Sequence, residues 1–314
     1  MSPALTNLAA VPGITVGHTT IEAHGTGCTV VLAPESGGGL RSAVCVRGRA
    51  TGTRELDVMD PRHLVERIDA ILFTGGSALG LGAADGVMRW LRERGRGHRV
   101  GDMGTIPIVP SAVIFDLGNA GKPLGWPSPD DAYRACDNAS ADYADGLVGV
   151  GRGATCGKAA GLEKMVPAGI GSWAGRAGDL IVSALVVVNA VGDVRNARGE
   201  LIAAGRGPDG KLVDSLEYLA QGGAPLGDPE RLNRNTTLAV VATNADIDRV
   251  QLQALAYAAS DAIARRITPY GTLFDGDVIF AVSTATVRPK SAMQVEALAA
   301  LVVPDAVERA VRHG

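Results

Sequence analysis

Thr236 follows Asn235 and precedes Thr237 and an apolar run over 238–242. A chain cut between Asn235 and Thr236 would leave Thr236 as a new N-terminus, carrying both a hydroxyl nucleophile and a free amine. Threonine opening a strand and asparagine in the turn before it are also ordinary strand-entry residues. Three further places carry groups of the right type. Lys158 lies in the glycine-rich segment 146–161, between Gly157 and Ala159. A lysine in such a loop is ordinarily solvated, but one flanked by small apolar residues can be held at a site. Asn189 stands near the end of the apolar run 185–192, where it either satisfies local backbone groups or donates to an oxyanion. Asp275-Gly276-Asp277 is either a solvated turn or an extended pair with both carboxylates on one side.

Composition narrows the classes. The 314 residues are 46% hydrophobic and 20% charged, ordinary for a globular chain able to bury a sizeable core. Aromatics are only 4% against 42 glycines, which favours close layer packing, tight turns and backbone-lined sites. A net charge of −3, with no basic cluster interleaved with aromatics, argues against nucleic acid as a partner. Cys28, Cys45, Cys136 and Cys156 are scattered without metal spacing, as free thiols in a reducing compartment would be. The five histidines form no HxH or HxxxH pair, so no metal site is expected. The N-terminal residues lack a secretory pattern and the apolar runs are too short to span a membrane. The expectation is a cytoplasmic enzyme.

The elements that must position these residues read as alternating strands and helices. Strands are expected over 27–33, 42–46, 70–73, within 106–117, as a pair over 166–183 joined at 175–179, over 185–192, from 236, and within 273–284. Helices are expected from an Asp60 cap with Pro61 at the first position, over 83–94, 130–144, 246–267 and 291–303, with a separate short helix from 304. The glycine stretch Thr74-Gly75-Gly76-Ser77-Ala78-Leu79-Gly80 follows a strand and precedes a helix. It does not match a dinucleotide fingerprint, and Gly157-Lys158 is not a P-loop. Its glycines either let the helix pack hard on a sheet or let backbone N–H groups approach a substrate. Residues 196–234, rich in Gly, Pro, Asp and Arg, read as a long, weakly structured segment ending abruptly at Asn235, where a processing site would be reachable.

In this order, Thr74 to Gly80, Ser111-Ala112-Val113-Ile114-Phe115-Asp116, Cys156-Gly157-Lys158, Val187-Val188-Asn189, Asn235-Thr236-Thr237-Leu238, Asp275-Gly276-Asp277 and Phe280-Ala281-Val282-Ser283-Thr284 resemble the L-aminopeptidase/D-alanyl-esterase-amidase family. That family includes β-peptidyl aminopeptidases and the 6-aminohexanoate-oligomer (nylon-oligomer) hydrolases. The resemblance covers most of the chain, and Asn-Thr at the cut is similar to the nylon-oligomer branch.

The resemblance implies an α/β (α+β) chain in a four-layer αββα sandwich, a type also seen in ornithine acetyltransferase. It implies one domain over 1–314, self-cleaved into an α chain, 1–235, and a β chain, 236–314. It implies that Thr236 is the nucleophile and that its freed amine, titrating at about 7.7–8.0, is the general base. Lys158 then assists the amine or stabilises negative charge, Asn189 is an oxyanion donor, and Asp275 and Asp277 orient Lys158 and the amine. Phe115 replaces an active-site tyrosine of the nylon-oligomer branch, which alters substrate binding. Gly76 and Ser77 are candidate pocket residues. The expected substrate is a small peptide, an amide or a linear amide oligomer, with no cofactor and no metal. The expected assembly is a homo-oligomer of αβ pairs. Two alternatives stand beside this reading: an acyltransferase using the same kind of threonine, and a non-catalytic binding protein on the same scaffold.

Overall fold

The computed structural model describes residues 6–36, 38–207, 209–223 and 235–312. Its principal strands are β1 (Thr15–Ile21), β2 (Thr26–Leu32), β3 (Leu40–Val46), β4 (Ala70–Thr74), β5 (Ser111–Val113), β6 (Ile170–Ala177), β7 (Leu180–Asn189), β8 (Thr236–Ala245) and β9 (Val278–Val287). The helices are α1 (Ala84–Glu93), α2 (Pro129–Asp137), α3 (Ser215–Ala220), α4 (Arg249–Ile263) and α5 (Ala292–Arg309).

One sheet has the order β1-β2-β4-β5, with the short strand Thr53–Arg54 on the β5 edge. The other has the order β6-β7-β8-β9-β3, with Arg67–Ile68 on its edge. The pairs β4/β5 and β8/β9 are parallel; the other pairs among these nine strands are antiparallel. Every residue of β7 and β8 is buried, which explains their largely apolar character: strands covered on both faces need no polar side.

Three apolar cores separate four layers. Val30, Leu72, Val87, Leu91 and Ala132 join the first sheet to α1 and α2. Val31, Phe73, Leu185, Val240 and Phe280 fill the space between the sheets, where the Phe73 and Phe280 rings lie 5.5 Å apart. Val186, Val241, Leu255, Ala259 and Val303 join the second sheet to α4 and α5. This is the αββα sandwich expected from the sequence.

Strand alternation then decides what faces where. Leu185 and Val187 point between the sheets, and Asn189 follows them on the same face. Leu238 and Val240 do likewise, which puts Thr236 on that face too. The second sheet also mixes the two sides of residue 235. Central strands β8 and β9 come after it, while β3, β6 and β7 come before it.

Several expected boundaries differ. No helix starts at Asp60. A 3₁₀ turn over Asp57–Met59 ends there, and the Asp60 carboxylate pairs with Arg62 instead. The helix expected over 130–144 begins at Pro129 behind a Ser128 capping box and stops at Asp137, because the residues after Asn138 turn back to pair Ser140 with Val16. The helix expected over 246–267 is Arg249–Ile263, capped by Asp248. The last two expected helices are one, α5, with Pro304 inside it.

The strand within 106–117 is confined to the three residues of β5, and the hairpin turn before β7 is tighter than 175–179. Part of the segment expected to be weakly structured carries the strand Leu201–Ala203 and α3, with Ser215 anchored to Asp193. Its last stretch, 224–234, lies outside the described residues.

Candidate active site

Thr236 opens β8 directly opposite Asn189, the last residue of β7. Opposed residues of an antiparallel pair project to the same face, so hydroxyl and amide share one end of the space between the sheets. Thr236 is 5% exposed. Its hydroxyl donates to the carbonyl oxygen of Asn235 at 2.6 Å, and the same oxygen accepts the Gly276 N–H at 2.8 Å. Asn235 itself bridges in parallel to Asp275.

Lys158 is not solvated. It is 1% exposed, and its turn is fixed by Gly157 N–H to Gly192 O and Lys158 N–H to Val191 O, both 2.9 Å. Its ammonium donates to Asn189 Oδ1 at 2.8 Å and to Asn189 O at 3.0 Å. Thr155 adds its N–H to Asn189 Oδ1 at 3.2 Å. With the oxygen end of the amide so occupied, its Nδ2 turns toward the first sheet, 3.4 Å from Phe115 O. A buried ammonium needs such acceptors, since an unpaired one would be neutralised or expelled.

Asp275 and Asp277 are both buried. Asp277 accepts the Thr237 N–H at 2.5 Å and the Gly271 N–H at 3.2 Å, while Asp275 accepts the Thr272 N–H at 2.8 Å. Burial pushes the Asp277 carboxyl well above the usual carboxylate range, and the neighbouring Asp275 adds to this. Burial also raises Asp275, but Lys158 works against the rise. Both carboxyls are thus held above the usual range, Asp277 with the added repulsion of Asp275, and Asp275 with the opposing attraction of Lys158. The backbone of 47–50 braces this segment. Arg47 and Gly48 donate to Asp277 O, and Arg49 and Ala50 donate to Asp275 O.

On the first sheet, Gly76 follows β4 in the left-handed region (φ +82°), which glycine adopts without strain, and Ser77 follows it at +53°. Gly76 N–H donates to Asp116 Oδ1 at 2.7 Å and Ser77 N–H to Ile114 O at 2.9 Å. The glycines thus shape a turn against the 114–116 segment, and Phe115 from that segment meets Asn189. Gly76 and Ser77 are joined to the surroundings of the nucleophile through this segment.

Three participants carried no role in the sequence reading. Asp116 is 1% exposed and also accepts from Thr26 Oγ1 at 2.6 Å; burial raises it to about 6. An acid closing an apolar strand was its only local signal. Thr155 lay just before the Cys156-Gly157-Lys158 motif and Gly276 inside Asp275-Gly276-Asp277, but nothing in their types marked them. Thr155 also borders a cavity of about 580 Å³ whose walls include Leu147, Leu162, Met165 and Pro167, with Lys122 and Arg152 among its lining residues. Among the described residues no three His, Cys, Asp or Glu side chains gather as metal ligands would. No helix of the described chain is long and apolar enough to cross a membrane.

Residues 6–314 match peptidase family S58. The chain is 40% identical over 303 residues to an uncharacterized aminopeptidase of Mycobacterium tuberculosis, covering 90% of this chain and 83% of that one. It is 31% identical over 282 residues to a 6-aminohexanoate-oligomer endohydrolase of Paenarthrobacter ureafaciens, covering 87% and 73%. The L-aminopeptidase D-Ala-esterase/amidase of Ochrobactrum anthropi, a variant of the N-terminal-nucleophile hydrolase fold, superposes with a TM-score of 0.68 over 99% of this chain and 88% of that one. Its identity of 19% speaks to the fold alone.

Proposed function

The chain belongs to peptidase family S58 and is an amide or peptide hydrolase, and on that premise we propose that Thr236 is its nucleophile, freed by cleavage of the chain after Asn235. The observation that carries this reading is the Thr236 hydroxyl, 2.6 Å from the oxygen of the bond it would cut and opposite the Lys158–Asn189 pair. Attack by Oγ on the Asn235 carbonyl carbon, with the proton passing to the Thr236 nitrogen, converts the peptide to an ester. Water then hydrolyses that ester and restores the hydroxyl. The Thr236 nitrogen changes from an amide to an amine in this step, so the base exists only after the cut. A substrate amide is then attacked by the same hydroxyl, with the amine as base and Asn189 Nδ2 as oxyanion donor. Asp275 holds the charge of Lys158 in balance.

The substrate class is small peptides, amides or linear amide oligomers, of which the 6-aminohexanoate oligomers in the name of the Paenarthrobacter relative are one kind. No cofactor takes part. The mature form is a homo-oligomer of αβ pairs acting in the cytoplasm.

Intact mass under denaturing conditions tests the central step. The 32.1 kDa wild-type chain should yield pieces of about 24 and 8 kDa, scaled by residue number, and Thr236→Ala should stay whole. A wild-type chain that stays whole, or a Thr236→Ala chain that is cut, removes Thr236 from this role.

A further inference from the structure

We propose that the backbone N–H of Gly276 is the oxyanion donor for self-cleavage, separate from the Asn189 amide that serves the substrate; the proposal rests on the Thr236 reading above. Both steps of the cut, hydroxyl attack and ester hydrolysis, drive negative charge onto one atom, the carbonyl oxygen of Asn235. The Gly276 N–H already lies 2.8 Å from that oxygen. Donors aimed in advance at developing charge are the most effective kind, because nothing has to reorganise as the charge appears.

The donor is held at its other end as well. The N–H of Gly276 and the C=O of Asp275 belong to one peptide unit. That carbonyl accepts the N–H groups of Arg49 at 2.8 Å and Ala50 at 3.0 Å. Two bonds into the oxygen polarise the unit and strengthen the donor opposite. The parallel bridge between Asn235 and Asp275 sets the register, so the unit cannot slide away from the scissile carbonyl.

Residue 276 is also a place where a side chain is not tolerated. A Cβ there would lie 2.6 Å from Ala50 O and 2.8 Å from Thr236 Oγ1. The first contact is with backbone and cannot be relieved by a rotamer change; the second is with the nucleophile. Glycine therefore lets the N–H approach the carbonyl while leaving the hydroxyl its position. Asn189 is differently placed: its Oδ1 is taken by Lys158 and Thr155, and its Nδ2 points to Phe115 O on the first sheet.

The test is a semisynthetic full-length chain with glycolic acid in place of Gly276. This replaces the N–H by an ester oxygen and changes no side chain. Refolding starts the clock, near-UV circular dichroism reports the fold, and intact mass follows the cut. Cutting should slow by about 100- to 1,000-fold relative to a semisynthetic chain with the normal amide. A folded ester chain that cuts at the wild-type rate overturns the proposal. If the ester chain does not refold, recombinant Gly276→Ala decides. Its Cβ must displace the N–H, so a folded variant cut as fast as wild type overturns the proposal equally. A normal chain that is never cut refutes the Thr236 reading instead.

Discussion

The ammonium of Lys158 lies 2.8 Å from Asn189 Oδ1 and 3.0 Å from the Asn189 carbonyl oxygen, with the lysine 99% removed from solvent. One cation thereby fixes both the strand end and the orientation of its amide. Asn189 Nδ2 has no freedom to turn over, because a flipped amide would set NH₂ against NH₃⁺. The amide that stands opposite Thr236 is oriented by a residue 31 positions earlier in the chain.

Replacing Lys158 by Met keeps most of the volume and removes the charge and the donors. The Asn189 oxygens then lose their strongest partner, at a cost of about 1–3 kcal/mol. The kcat of the mature enzyme should fall by about 100-fold or more, as the amide is no longer held as a donor. Urea unfolding and steady-state kinetics on a small chromogenic amide measure the two effects. Unchanged kcat would remove Lys158 from the site.

Asp116 gives a pH signature. Its carboxyl is raised by burial to about 6, although the bonds from Thr26 and Gly76 oppose the rise. The native state therefore binds this proton more tightly than the unfolded chain does. The contribution to stability is fully present below about pH 4 and is lost as pH rises through about 6, amounting to roughly 3 kcal/mol. Other carboxylates titrate too, so the readout is a difference. Between pH 4 and pH 7 wild type should lose more stability, or gain less, than Asp116→Asn. Parallel pH profiles for the two proteins would contradict the assignment.

Gly48 should be as demanding as Gly276, for a different reason. A Cβ at 48 would lie 2.2 Å from Asp277 N and 2.3 Å from Asp275 O, both backbone atoms. Gly48→Ala must therefore push the Asp275-Gly276-Asp277 segment off the 47–50 brace. The expected loss of stability is about 1–3 kcal/mol, the usual cost of forced overpacking. Self-cleavage should slow with it, and thermal unfolding with time-resolved intact mass checks both.

Phe115 carries the specificity prediction. Its backbone oxygen is the partner of Asn189 Nδ2, so a side-chain change leaves that contact in place. Phe115→Tyr adds one hydroxyl, the group that the sequence resemblance implies at this point in the nylon-oligomer branch. The expected result is an unchanged rate of self-cleavage and a rise of up to about tenfold in kcat/KM on a linear amide oligomer relative to a dipeptide amide. Equal ratios in the two proteins would show that residue 115 does not read the substrate.

The sequence by itself indicated strand character over 185–189 and from 236, since apolar runs with β-branched residues have few other uses, but that 180–189 is a single strand through Ser183 rather than two came from its pairing with β6 and β8. It also determined the candidate set, Thr236, Lys158, Asn189, Asp275 and Asp277, because seven short motifs in one order narrow the family even where each motif alone is weak. Helix ends such as Asp137 and Ile263 were not legible, because they depend on where the chain must turn back to pack. The same holds for Asp60, whose carboxylate takes both the backbone N–H and the guanidinium of Arg62 without a helix following.

Only the tertiary structure decided that Lys158 is buried, that Asn189 stands opposite Thr236, and that Asp116 and Thr155 belong to the surroundings. These are consequences of strand register and layer contact between residues far apart in the chain. The role argued for Gly276 lies furthest from the sequence, because it belongs to a backbone N–H that every residue but proline carries. What makes that N–H distinct is its direction, set by β8 beside β9 and by the brace from 47–50.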